Sequence, residues 1–138
     1  MINYVPTARG FDSWYGYYSS FTSYLSHIGD YGLCVDGVSC FEDFNWNGAP
    51  LHHESGKYST ELFAAEVERV VAEVAATSPA RPSFVYLALQ NVHNPYEEPP
   101  TSLVDVNATF AEIATYPRRV YAAMALAMDL AVARVECA

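Results

Sequence analysis

Phe84-Val85-Tyr86-Leu87-Ala88-Leu89 runs directly into Gln90-Asn91-Val92-His93-Asn94-Pro95. The first six residues are all apolar and show neither a period of two nor one of 3.6, so no face is reserved for water. So short an apolar run, bounded by turn residues, reads as a strand buried on both faces, as at the centre of a parallel sheet. The polar segment after it reads as the turn at the strand's carboxyl end, where open α/β sheets place ligand sites. His93 is therefore the first candidate site residue. An imidazole there can exchange a proton or hydrogen-bond an anionic oxygen. Position alone equally allows a histidine that only satisfies loop backbone.

Helical patterns flank this stretch. Leu62, Phe63, Val67, Val70, Val71 and Val74 recur at spacings of three and four and predict a helix over 59–76. Ser59 stands in the N-cap position, Glu61, Glu66, Glu68 and Glu73 take the other side, and Ser78-Pro79-Ala80-Arg81-Pro82 stops the helix. A second helix is predicted over 117–136, with Pro117 in its first turn and Val120, Tyr121, Met124, Met128, Ala131, Val132 and Val135 as its buried stripe. Tyr96 to Pro100 is an acidic, proline-rich loop, and residues 101–115 have no clear pattern. Helix, buried strand, loop and helix make the rhythm of an α/β layered domain. One strand cannot make a sheet, so its partner strands are expected outside these residues. The chain alone is then expected to aggregate through open strand edges.

Residues 1–57 read differently, as a long irregular loop region, against a helix–strand–loop–helix part over 58–138. All seven glycines fall before residue 57, interleaved with Phe11, Trp14, Tyr15, Tyr17, Tyr18, Phe21 and Tyr24. So long a coil inside a compact domain is usually functional. Arg9 and Asp12 flank Gly10-Phe11 and suit an ion-paired structural turn. His27, His52 and His53 read as surface-loop residues, because no other metal ligands converge on them in the sequence.

Composition narrows the function. The 138 residues are 51% hydrophobic and 17% charged, the balance of a globular chain. A net charge of -9, from 16 acids against 7 Lys plus Arg, argues against nucleic acid and against anionic membranes as partners. A small anionic substrate remains compatible, since a pocket can differ from the global field. Ala122 to Ala133, interrupted by Asp129, is the longest apolar run and falls short of the ~20 residues of a membrane span. The N-terminal residues lack a signal-peptide pattern, so the chain is expected to be cytosolic or to be preceded by further sequence. Of three cysteines, Cys34 and Cys40 lie close together and suit either a disulfide or two free thiols. Asn107-Ala108-Thr109 matches a glycosylation sequon, which matters only in a secreted protein.

Four segments in order resemble type I sulfatases. Pro6-Thr7-Ala8-Arg9-Gly10-Phe11-Asp12 with Gly16-Tyr17 is similar to the family's P-x-x-R-G-F-D…G-Y segment. Lys57-Tyr58-Ser59-Thr60-Glu61-Leu62-Phe63 resembles its Y-S-T-D-L-F helix opening, and Phe84 to Pro95 its F-L-Y-L-A-x-Q-x-V-H-x-P block. Arg118-Arg119-Val120-Tyr121-Ala122-Ala123-Met124, with Met128-Asp129, parallels R-x-x-Y-A-x-M…M-D. The arylsulfatase B branch fits best.

The resemblance implies part of an alkaline-phosphatase-like α/β core that hydrolyses sulfate esters, in this branch those of sugars. It implies a formylglycine nucleophile made from the Cys of a C-x-P-x-R motif, and a calcium ion held by Asp and Asn. It gives His93 a sulfate contact and proton donation to the leaving oxygen. It favours a Cys34–Cys40 disulfide and a secreted or lysosome-like compartment. The chain departs from the family in having no C-x-P-x-R, and neither the calcium ligands nor most sulfate contacts are recognisable in it. The expectation is therefore an internal segment of a sulfatase catalytic domain, inactive alone. A non-catalytic, sulfatase-derived interaction module is the alternative.

Overall fold

The computed structural model describes residues 4–20, 22–29 and 41–138. Cys34 and Cys40, and the disulfide expected between them, lie outside the described residues. The chain divides into two compact units, Met1–Lys57 and Tyr58–Ala138.

The first unit is not the structureless coil that its glycines suggest. It holds a three-stranded antiparallel sheet in the order β1 (Tyr15–Gly16), β2 (Asn45–Trp46), β3 (Ala49–Pro50). Tyr15 faces Trp46, and Trp46 in turn faces Ala49. Asn47 and Gly48 close the β2–β3 hairpin at φ 51° and 87°. Both positions demand the left-handed region that Asn and Gly tolerate, so Asn-Gly is the local sequence signal for this turn. Asn47 also ties the hairpin to β1: its N–H donates to Trp14 O (2.8 Å), and its side-chain Oδ1 accepts from Trp14 N (2.7 Å). Pro6–Arg9 is a 3-10 turn, with the Arg9 guanidinium over the Tyr4 ring.

Polar groups sit at the heart of this unit. Asp43, 2% exposed, accepts from Tyr18 N (2.9 Å), Ser19 N (2.7 Å) and Asn45 Nδ2 (2.9 Å). Tyr24 and Phe44 are fully buried, and the Phe44 ring is flanked by Tyr15 edge-on and by a stacked His27. His27 is thus not the surface-loop residue expected. It is completely buried, at φ 55°, with Nε2 3.1 Å from Glu54 O. It stacks on the buried Phe44 ring, a packing that its Ser- and Gly-rich neighbours in sequence do not announce.

The second unit is helical. α1 (Ser59–Thr77) and α3 (Tyr116–Glu136) match the predicted helices within one residue at each end, and a single turn, α2 (Val106–Thr109), lies between them. Phe63, Ala64 and Val67 of α1 and Val120, Ala123, Met124, Ala127 and Ala131 of α3 are buried. Asn91 links Thr60 to Met124, and Glu68 meets Arg134 further along, so the helices run side by side in the same sense. The buried face of α3 is rotated from the expected one: Tyr121 and Val132 are exposed. They project about 100° round the helix from Val120 and Ala131, and Tyr121 there meets the Tyr96 ring.

Two further expectations need correction. Phe84–Leu89 is not a buried strand: it has no sheet pairing, and Phe84 and Tyr86 are 76% and 74% exposed. A strand is completed by a ladder of hydrogen bonds to its neighbours, and among the described residues no such ladder forms along this segment. Ser59 is also not the N-cap. It is the first residue of α1, after an extended Tyr58, and its hydroxyl is used elsewhere. Among the described residues the molecule is therefore a mixed helix-and-sheet protein, with its sheet formed by residues of the first unit and not by the segment that pattern alone marks as a strand.

Candidate functional site

His93 closes a tight turn: its N–H donates to Gln90 O at 3.0 Å. The two residues that begin this turn are tied by their side chains to buried groups. Ser59 Oγ donates to Gln90 Oε1 (3.1 Å), and Thr60 Oγ1 donates to Asn91 Oδ1 (2.5 Å). Asn91 Nδ2 in turn donates to Met124 O (2.8 Å). A carbonyl oxygen can only accept, so this bond fixes which way the Asn91 amide faces and leaves its oxygen for Thr60. Ser59, Thr60 and Gln90 are all buried. Tyr58 is buried beside Asn91 and Thr60, and burial pushes its phenol well above the ordinary range.

The imidazole at the end of the turn is exposed. His93 Nδ1 lies 2.7 Å from Asn94 O. The acceptor is again a carbonyl, so Nδ1 carries a hydrogen. The peptide bonds Asn91–Val92 and Asn94–Pro95 are cis. Beyond the turn, the exposed Tyr96 meets Tyr121 edge-to-face at 5.8 Å, and the Tyr116 hydroxyl donates to Glu98. The bond to that carboxylate raises the Tyr116 phenol. A histidine so held, with one nitrogen committed to backbone, can act as a proton donor or as a hydrogen-bond donor to an oxyanion.

The other candidates are scattered. His52 and His53 are exposed, paired with Glu42 (2.9 Å) and Glu54 (3.1 Å). Asn107 is exposed in α2, where Asp105 caps the turn by accepting from the Asn107 and Ala108 N–H groups. Among the described residues no three His, Cys, Asp or Glu side chains come together as a metal site. The most deeply buried carboxylate, Asp43, already has both oxygens engaged by N–H donors. The described residues therefore do not fit a calcium ion. Ser59, Thr60, Gln90 and Asn91 escaped the reading of site residues from sequence. Their signal was adjacent polar residues at the buried ends of otherwise apolar segments.

No family model matches the chain. Among curated proteins it is 30% identical to Arylsulfatase J of Mus musculus, over 97% of this chain. It spans 21% of that relative's length. Among solved structures it superposes on the chain titled "Crystal structure of Ps i-CgsB" with a TM-score of 0.75 and 24% identity, covering 97% of this chain and 30% of that one.

Proposed function

The chain is a sulfatase-family segment, and from that premise we propose that it forms part of the alkaline-phosphatase-like catalytic core of a sulfuric ester hydrolase acting on sulfated sugars. The observation that carries this reading is the continuous likeness to an arylsulfatase along 97% of the chain, with His93 presented on a tethered turn within it. In a complete domain His93 contacts the sulfate and protonates the leaving oxygen through Nε2, while Nδ1–H stays on Asn94 O. As the sulfur–oxygen bond breaks, that proton spares the leaving alcohol from departing as an alkoxide. General acid catalysis of this kind contributes about 10²–10⁴-fold.

The described residues offer no fit for calcium, and the sequence contains no C-x-P-x-R, so the metal and nucleophile chemistry of the family is not assigned to these residues. The chain alone is expected to be inactive. A secreted or lysosome-like compartment, with Asn107 as a glycosylation acceptor, accompanies the reading; the exposure of Asn107 supports it. Among the described residues no helix is long and apolar enough to cross a membrane.

The test is turnover of a generic aryl sulfate by the complete domain that carries this segment. His93→Ala is expected to cut turnover about 10²-fold or more, with the far-ultraviolet circular dichroism unchanged. Wild-type turnover in that variant would remove His93 from the reaction.

A further inference from the structure

We propose that Ser59 and Thr60 are positioning residues for His93, acting through Gln90 and Asn91 to hold the turn that sets the imidazole's tautomer. The proposal rests on the reading of His93 as the reacting group, but its geometry stands by itself.

Stability alone does not account for these hydroxyls. Ser59 and Thr60 are 0% and 1% exposed at the start of a helix whose other buried residues are Phe63, Ala64 and Val67. Burying a hydroxyl costs free energy unless it is hydrogen-bonded, and an apolar pair of the same shape in place of both partners is close to neutral. Neither hydroxyl caps the helix, which begins with no side-chain cap. Each instead points its hydrogen at one side-chain carbonyl oxygen 31 residues away.

The two targets are consecutive, and they are the first two residues of the turn whose fourth is His93. Gln90 is held from both directions: its side chain accepts from Ser59, and its backbone carbonyl accepts the His93 N–H. Asn91 is held by α1 and α3 together, through Thr60 Oγ1 and Met124 O. With both corners immobilised, the chain direction at Asn94 is set, and with it the carbonyl that takes Nδ1–H of His93. A side chain that positions another through locked hydrogen bonds is the supporting layer that a reactive group requires.

The experiment uses the isotope-labelled full chain and reads the ring nitrogens of His93 by NMR, with circular dichroism as the control for helix content. Wild type is expected to show the Nδ1–H tautomer. Thr60→Val is expected to lose that signature for an averaged mixture and to free the Asn91 side-chain amide to exchange with water, with α1 and α3 intact. Thr60→Ser, which keeps the hydroxyl, is expected to restore both, and Ser59→Ala to shift the ring signals in the same direction by less. Unchanged His93 ring signals in a folded Thr60→Val chain would overturn the proposal. If Thr60→Val does not fold, unchanged signals in Ser59→Ala would do so. Because the readout is the ring and not turnover, a failure here leaves the sulfatase reading intact, and a failure of that reading leaves this result standing.

Discussion

The two units bury opposite kinds of residue. In Met1–Lys57 the buried set includes Thr22, Ser23, His27, Asp43 and Asn45 around Tyr24 and Phe44, and its strands are two residues long. In Tyr58–Ala138 the buried set is mostly aliphatic side chains along α1 and α3, and Ser59, Thr60 and Gln90 are the buried polar exceptions. Where regular elements are short, backbone groups that no ladder or helix satisfies must find side-chain partners, and Asp43 serves two of them. Where long helices satisfy their own backbone, the interior can be apolar. The buried polar residues there, Ser59, Thr60 and Gln90, lie at the turn that His93 closes.

Removing Asp43 should break the first unit and spare the second. Asp43→Ala leaves two backbone N–H groups and the Asn45 amide without their acceptor. At ~1–3 kcal/mol for an unsatisfied buried donor, which applies in full to the Asn45 amide and less to the two part-buried N–H groups, the loss is roughly 2–3 kcal/mol. Both tryptophans, Trp14 and Trp46, lie in this unit, whereas α1 and α3 dominate the helical dichroism. In urea, the tryptophan transition should move to lower denaturant while the helical transition stays. Equal movement of the two would show one cooperative structure and dissolve the comparison.

Acid should sharpen the same contrast by a smaller amount. Burial holds the His27 imidazole below its ordinary range, against the opposing pull of Glu54 and Glu42. The unfolded chain therefore takes up this proton at a higher pH than the folded unit does. The full contribution is present above the ordinary histidine pKa and is lost as pH falls below it toward the folded value. Tryptophan-detected stability should decline through that window, and His27→Asn, which tolerates the left-handed backbone, should flatten the decline. An unchanged slope in that variant would place the acid sensitivity elsewhere.

Arg134→Ala should have the smallest effect. Its guanidinium meets Glu68 at 2.7 Å, on the surface between α1 and α3. The pairing raises the Arg134 pKa and lowers that of Glu68, but solvent screens exposed pairs. The helical urea midpoint should barely move. A large shift would mean that the helices are held by charge rather than by their buried side chains, Met124 among them.

Much of the second unit was legible in sequence because helices are local: periodicity, Pro117 and the Ser78-Pro79 stop placed both long helices. The sheet in the first unit was missed, although Asn47-Gly48 between Trp46 and Ala49 is a hairpin signal, because the surrounding glycines suggested only coil. At the site, His93 stood out by its place after an apolar run. Its supports did not, because Tyr58-Ser59-Thr60 and Gln90-Asn91 read as two unrelated blocks.

The sequence by itself determined the two long helices and the kinship with sulfatases, since both are written in residue spacing and identity. Tertiary structure alone decided three things: that Ser59 reaches Gln90 instead of capping its own helix, that His27 is buried and stacked on Phe44, and that Phe84–Leu89 has no sheet pairing among the described residues. The reason is common to all three. A hydroxyl, an imidazole or an apolar run takes its role from what folding brings beside it, and residues far apart along the chain are not paired by local sequence.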